Sequence, residues 1–430
     1  MNILVITPFY KHDKNIASVR WTNISKRLAK RHNVFVVTQP NDDMDMQRTI
    51  ERDEDGVLVA RINQKTAYEK IAVKYFGGAT GDDWQTSSTN EQVSGNVGNE
   101  SAVRKIKNRV MFASMKQKAR SYAREIKKNV IPKGTKIDVV ISSACPFIEM
   151  IFGCELKRQL RCKWISDFRD LPFVETKTDE ARKMKKIMCG CLAKADAVTS
   201  TAKRGMEFLQ QEIVEDKNKV RVIRNGFSMA DARQPIYLDD KKLHIVHTGS
   251  LYGGTRKADV FFKAAQMALQ KNPQFSYVLE CAGGNNGSLV ETAKKYGEES
   301  NVDNRGFIPR EEALDMQSKA DILLALVFSR AGTFVAKMFE YVLNQKPVIC
   351  VTCGKGKNSE ETEFVRETNL GIAVEEAEDN AVEALADYLL EQFDLKYQNK
   401  ALLFEPDNSK LTEFDHDNIV KRFEDLIKII

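Results

Sequence analysis

Uninterrupted apolar runs of four to eight residues recur along the chain, separated by stretches whose apolar positions follow helical spacing. Residues 2–7 (NILVIT) and 33–38 (NVFVVT) are two such runs, and 19–30 between them has the period of a helix. This strand–helix–strand start predicts a parallel sheet with helices on both faces. The pattern continues with strands at 57–62, 139–142, 164–166, 197–200 and 220–223 and helices at 147–160 and 201–211. Residues 228–242 are polar, contain Pro235 and read as a linker. Beyond it the alternation restarts: strands at 243–247, 275–282, 305–309, 321–326 and 371–374, helices at 258–270, 311–318, 383–393 and 411–430. The expectation is an α/β chain of two doubly wound domains, 1–232 and 243–410, with 411–430 a final helix free to return to the first domain.

Length and charge narrow this little. The 430 residues suit two domains of ordinary size, and a net charge of +6 is too small to imply nucleic acid. The distribution says more. Residues 77–101 are rich in Gly, Ser, Asn and Asp and predict a mobile loop. From 103 to 136 twelve lysines and arginines face one acid, Glu125, along an interrupted apolar stripe. Such a helix fits an anionic membrane surface, and fits equally a helix covering the sheet with its lysines in water. Neither a signal peptide nor an apolar run long enough to span a bilayer is visible, so the expected place is the cytoplasm, with peripheral membrane contact. The eight scattered cysteines read as reduced core thiols. Cys350 and Cys353 form a CxxC pair, but without a second pair or a nearby histidine they predict no metal.

Three stretches carry candidate chemistry. Residues 332–349 (GTFVAKMFEYVLNQKPVI) read as a turn, a helix and a buried strand. Gly332 allows the turn, Thr333 caps the helix, and Phe334, Met338, Tyr341 and Val342 share its core face. Lys337 and Glu340 fall on another face, and bare amides with Lys337 beside them favour an anion. An amphipathic helix with a solvated Lys and Glu is the plainer account of the same spacing. The loop 248–257 (TGSLYGGTRK) follows the second domain's first strand. Gly249 lets a ligand approach, Ser250 offers a hydroxyl, and Arg256 and Lys257 add cations; it is not a Walker loop. In DFRD, Asp167 and Asp170 flank Arg169 at a strand end, where open α/β sheets bind ligands, or where an ion-pair cluster fixes a loop. The first βα turn lacks GxGxxG, which argues against a nicotinamide or flavin cofactor.

Taken in order, NILVITPFY, WISDFRDLPF, VIRNGFS, HTGSLYGGTRK, RGFIPREEALDMQSKADILL and GTFVAKMFEYVLNQKPVI resemble the retaining glycosyltransferases of family 4. That resemblance implies a GT-B fold, two Rossmann-like domains facing each other across a cleft. It implies a nucleotide-sugar donor, UDP- or GDP-linked, with no cofactor and no metal. Glu340 would hold the ribose, Arg256, Lys257, Gly249 and Ser250 the diphosphate, and Phe307 and Ile308 would lie near the base. Asp170 would face the transferred sugar, with Ser18, Arg20 and Arg169 on the acceptor side. The acceptor would be a glycan or a lipid-linked sugar in cell-surface polysaccharide synthesis. One departure stands out: Gly332 occupies the place of the family's first glutamate, leaving the amides of Thr333 and Phe334 to meet the sugar. The competing readings are a non-catalytic nucleotide-binding assembly protein and a GT-B sugar-nucleotide epimerase.

Overall fold

The computed structural model describes residues 1–11, 17–40, 48–63, 102–144, 147–170, 179–251, 256–284, 286–328, 334–354 and 359–430, with side chains of the basic helix described from 114 and those after 178 from 182. The polar stretch 77–101, the glycines Gly253 and Gly254, and Gly332 with Thr333 lie outside them. The chain divides into two compact units: Met1–Arg224 with His416–Ile430, and Asn225–Arg330 with Phe334–Asp415.

The first unit runs β1 (Asn2–Ile6), α1 (Ser18–Leu28), β2 (Asn33–Thr38), β3 (Thr49–Arg52), β4 (Leu58–Arg61), α2 (Ala102–Glu125), β5 (Val139–Ser143), α3 (Phe147–Leu160), β6 (Lys163–Phe168), α4 (Asp179–Leu192), β7 (Ala197–Ser200), α5 (Lys203–Glu212) and β8 (Val220–Val222). Its sheet has the order β3-β4-β2-β1-β5-β6-β7-β8. All pairs are parallel except β3 with β4, an edge hairpin that the sequence pattern had not separated. The apolar runs are continuous because both faces are covered. Along β1, Leu4 and Ile6 join one buried cluster with Phe152 of α3, while Ile3 and Val5 join another with Trp21 of α1.

α2 continues as a π-helical turn over Ile126–Val130. Its stripe Ala119, Tyr122, Ala123, Ile126 and Val130 is buried, with the Tyr122 ring 4.3 Å from that of Phe152. Over its described side chains this helix therefore spends its apolar face on the unit's own core, the second of the two outcomes its sequence left open. Lys116, Arg120, Arg124, Lys127 and Lys128 remain exposed.

The second unit runs β9 (Leu243–Thr248), α6 (Asp259–Lys271), β10 (Tyr277–Ala282), α7 (Gly287–Lys295), β11 (Val302–Gly306), α8 (Arg310–Ser318), β12 (Ile322–Phe328), α9 (Lys337–Leu343), β13 (Val348–Cys353), α10 (Glu360–Glu367), β14 (Gly371–Glu375), α11 (Ala381–Tyr397) and α12 (Asn408–Thr412). Its six strands are all parallel, in the order β11-β10-β9-β12-β13-β14. The last helix, α13 (His416–Ile429), belongs to the first unit, so the single helix expected over 411–430 is two helices divided between units. Two helices, α7 and α10, escape the sequence pattern because each is short and mostly polar. Among the described residues no helix is long and apolar enough to cross a membrane.

Candidate functional site

The site of the second unit grows from the carboxyl end of β9. Thr248 closes that strand and Gly249 turns the chain away at φ 136°, a backbone that L side chains rarely adopt. A Cβ at 249 would also stand 3.1 Å from Lys337 Nζ. Gly283, at the end of β10 with φ 144°, allows the same approach from the other side, since a Cβ there would strike the Gly249 carbonyl. The Gly249 amide donates to Ala282 O at 2.7 Å. Two glycines thus let two strand ends and one ammonium approach one another closely.

Lys337 is the first residue of α9, and its Nζ donates to Thr248 O at 2.6 Å. Burial pulls its pKa down to about 8, with Arg256 and Arg310 pushing the same way and Glu340 opposing them. One turn on, Glu340 accepts from Arg310 Nη2 at 2.7 Å, and its side chain is only 14% exposed. Arg256 donates from Nη1 to Ser250 O at 3.2 Å. His247, fully inside β9, donates from Nδ1 to Leu324 O at 2.9 Å, and burial lowers its pKa to about 4, so it stays neutral. Behind the turn, Gln317 donates to Thr248 Oγ1 at 2.9 Å, and Asn344 donates to Gln317 Oε1 at 2.8 Å and to Glu340 O at 2.9 Å. Asn344 is buried scaffolding for the helix that carries Glu340.

Several expectations shift here. The helix begins at Lys337 and has seven residues, a later start than expected; Thr333, the expected cap, lies outside the described residues. The Phe334 ring is buried against Phe339 and Phe364, although Phe334 precedes the helix whose core face it was expected to share. Lys257 is exposed, and its amide donates to Cys353 Sγ at 3.3 Å, while that thiol donates to Val327 O. The CxxC pair is thus buried; no group of three or more metal-type ligands occurs among the described residues. Phe307 is 87% exposed after the Gly306 turn, and Ile308 is half-buried.

In the first unit Asp167 and Asp170 part company. The strand reaches Phe168, so Asp167 is still within it and fully buried, whereas Asp170 is exposed. Asp167 receives Arg20 Nε at 2.9 Å and Nη2 at 2.8 Å, and the Thr199 hydroxyl at 2.7 Å. Arg20 also donates to the carbonyls of Ile223 and Arg224. Arg20 is therefore a buried tie joining α1, β6 and the chain after β8, not an exposed acceptor contact. Ser18 is buried at the start of α1, and Arg169 is half-buried, donating to Ala17 O at 3.2 Å.

Residues 242–393 match the family model described as glycosyl transferases group 1. The protein is a glycosyltransferase. This glycosyltransferase has a fold similar to the sucrose-phosphate synthase of Thermosynechococcus elongatus, at 14% identity and TM-score 0.58 over 99% of this chain and 98% of that one. It is similar to a structure described as trehalose-6-phosphate from E. coli bound with UDP-2-fluoro glucose, at 12% identity and TM-score 0.63 over 100% of both chains. It is similar also to the apo lipopolysaccharide outer core galactosyltransferase WaaB, at 13% identity and TM-score 0.56 over 99% of both. These likenesses establish the GT-B fold, two parallel-sheet domains. A search of curated proteins gave no match.

Arg310, which donates to Glu340, is the neighbour of the candidate residues that sequence reasoning passed over. Arg310 left a signal: a cation in the first turn of a helix opposes the helix dipole, so something other than helix stability keeps it there.

Proposed function

We propose that this glycosyltransferase binds a nucleotide-sugar at the strand ends of its second unit and transfers the sugar, with retention of configuration, to a glycan or lipid-linked acceptor in cell-surface polysaccharide synthesis. The observation that carries the reading is the Lys337 ammonium, buried beside Gly249 with Arg256 and Arg310 in its field. Such a concentration of positive charge beside a glycine turn suits a diphosphate, which can approach the backbone closely and supply the missing negative charge. Glu340, steered by Arg310, is placed to accept from a pair of ribose hydroxyls. Transfer requires the nucleoside diphosphate to leave with negative charge, and fixed cations at that point act in the transition state. Removing Arg256 or Lys337 is expected to raise the barrier by about 2–4 kcal/mol. The scheme assigns charge neutralisation to side chains and calls on no metal. Asp170 is the proposed group facing the transferred sugar, with Arg169 on the acceptor side. The exposed cations of α2 and α4 suit a cytoplasmic protein resting on an anionic membrane.

Melting curves with UDP-, GDP- and ADP-sugars test this. UDP-glucose comes first, because a structural neighbour is described with UDP-2-fluoro glucose. One donor at a hundred times its Kd stabilises by about 2.7 kcal/mol. Arg256→Ala and Glu340→Ala should abolish that shift and the transfer reaction. If both variants bind and transfer as the wild type does, the reading is wrong.

A further inference from the structure

α10 holds a buried carboxylate that the reaction outlined above does not use. Its start is well defined: Ser359 Oγ accepts from Thr362 N at 3.0 Å, and Ser359 N donates to Glu375 Oε1 at 2.7 Å. On the face that α10 turns inward, Glu361 and Phe364 sit three residues apart, the helical spacing that puts two side chains on one side. Glu361 Oε1 accepts from the Val335 amide at 2.8 Å. The Phe364 ring lies 5.5 Å from Phe334 and 5.7 Å from Phe339, edge-on to both. One helix thus holds the segment 334–339 twice, by a polar contact to its backbone and by an aromatic contact to its side chains. Val335 stands two residues before Lys337 and five before Glu340.

We propose that Glu361 is a positioning residue of the donor site, fixing through the Val335 amide the entry to α9 and hence the placement of Lys337 and Glu340. The inference rests on the donor-site reading given above. Three features support it. Glu361 is 4% exposed, so its carboxyl serves neither solubility nor a surface ion pair. Burial pushes its pKa up to about 7, with Glu360 on its own helix adding to the rise and Arg256 drawing it back, so a carboxyl here costs stability that an apolar residue would not. α9 has only seven residues, too few to set its own start, and no side chain caps its first turn. A contact from outside must therefore define where the helix begins, and the Val335 bond is placed to do so.

The test compares Glu361→Ala with Glu361→Gln in the full-length protein. Gln keeps a carbonyl oxygen for the Val335 amide and removes the charge. Two readouts are needed: hydrogen exchange of the 334–340 amides, and titration calorimetry with UDP and GDP as probes. Glu361→Ala should speed exchange of 334–340 at least tenfold, leave β12 and β13 protected, and weaken diphosphate binding at least tenfold. Glu361→Gln should restore both to within about threefold, which a nonspecific loss of packing would not allow. Unchanged exchange in Glu361→Ala, or wild-type diphosphate affinity despite faster exchange, overturns the proposal. A wild type that binds neither diphosphate overturns the donor-site reading instead, and the exchange data still decide whether Glu361 orders the segment.

Discussion

A buried lysine beside a glycine turn fixes a sign for pH. Burial lowers the Lys337 pKa from 10.5 to about 8. Below about 8 both folded and unfolded chains carry the proton, and the folded state bears the full desolvation penalty. Between about 8 and 10.5 the unfolded chain holds the proton and the folded chain sheds it, so this group's effect is for stability to rise with pH there. A bound diphosphate favours the charged ammonium and reverses the shift. Nucleoside diphosphate binding at about pH 9, inside that window, should therefore take up a proton, and affinity should fall as pH climbs further. Calorimetry in two buffers of different ionisation enthalpy measures this. Lys337→Met should abolish the uptake, and its persistence in that variant would assign the proton to another group. Arg20 and Asp167 show the structural counterpart of such a site. Their pairing is buried and bidentate, so Arg20→Met leaves an unpaired carboxylate and should cost about 3–5 kcal/mol in chemical denaturation. A loss under about 1 kcal/mol would mean that water reaches Asp167.

Among elements, the final helix α13 carries the clearest prediction. It puts Ile419, Val420 and Phe423 into the first unit's core, with the Phe423 ring 5.3 Å from Trp21 and 5.5 Å from the Arg20 guanidinium. Phe423→Ala should destabilise that unit by about 3–5 kcal/mol. A variant melting within a degree of wild type would show that the helix is dispensable. The sequence made α13 legible as a helix, because its apolar positions follow one face. It did not reveal the break at 413–415, since LTEFDHDN keeps enough helical character for one continuous reading. α10 was illegible for another reason. Three glutamates in its first turn resemble a solvated surface, yet they suit a helix start, where the dipole favours acids and Ser359 supplies the cap.

For the whole molecule, a net charge of +6 conceals an uneven distribution. Lys116, Arg120, Arg124, Lys127 and Lys128 on α2 and Arg182, Lys183, Lys185 and Lys186 on α4 are exposed. Because the apolar stripe of α2 is already buried, membrane contact over the described part of that helix would rest on charge alone. Cosedimentation should then be strong with anionic vesicles at low salt, weak with zwitterionic ones, and lost in high salt. Lys116→Glu, Lys127→Glu and Lys128→Glu together should remove it; salt-resistant binding would point to inserted apolar residues instead. The sequence by itself determined the two parallel α/β domains, because strands covered on both faces must be apolar throughout and helices between them must be periodic. It also placed Gly249, Arg256, Lys337 and Glu340 among the candidates, since turn, charge and spacing are local properties. Only the tertiary structure decided that Arg20 is spent on Asp167, that Arg310 pairs with Glu340, and that Glu361 reaches Val335. Each of those contacts joins residues far apart in the chain, and burial, which no local pattern contains, determines whether a charged side chain meets a ligand or another side chain.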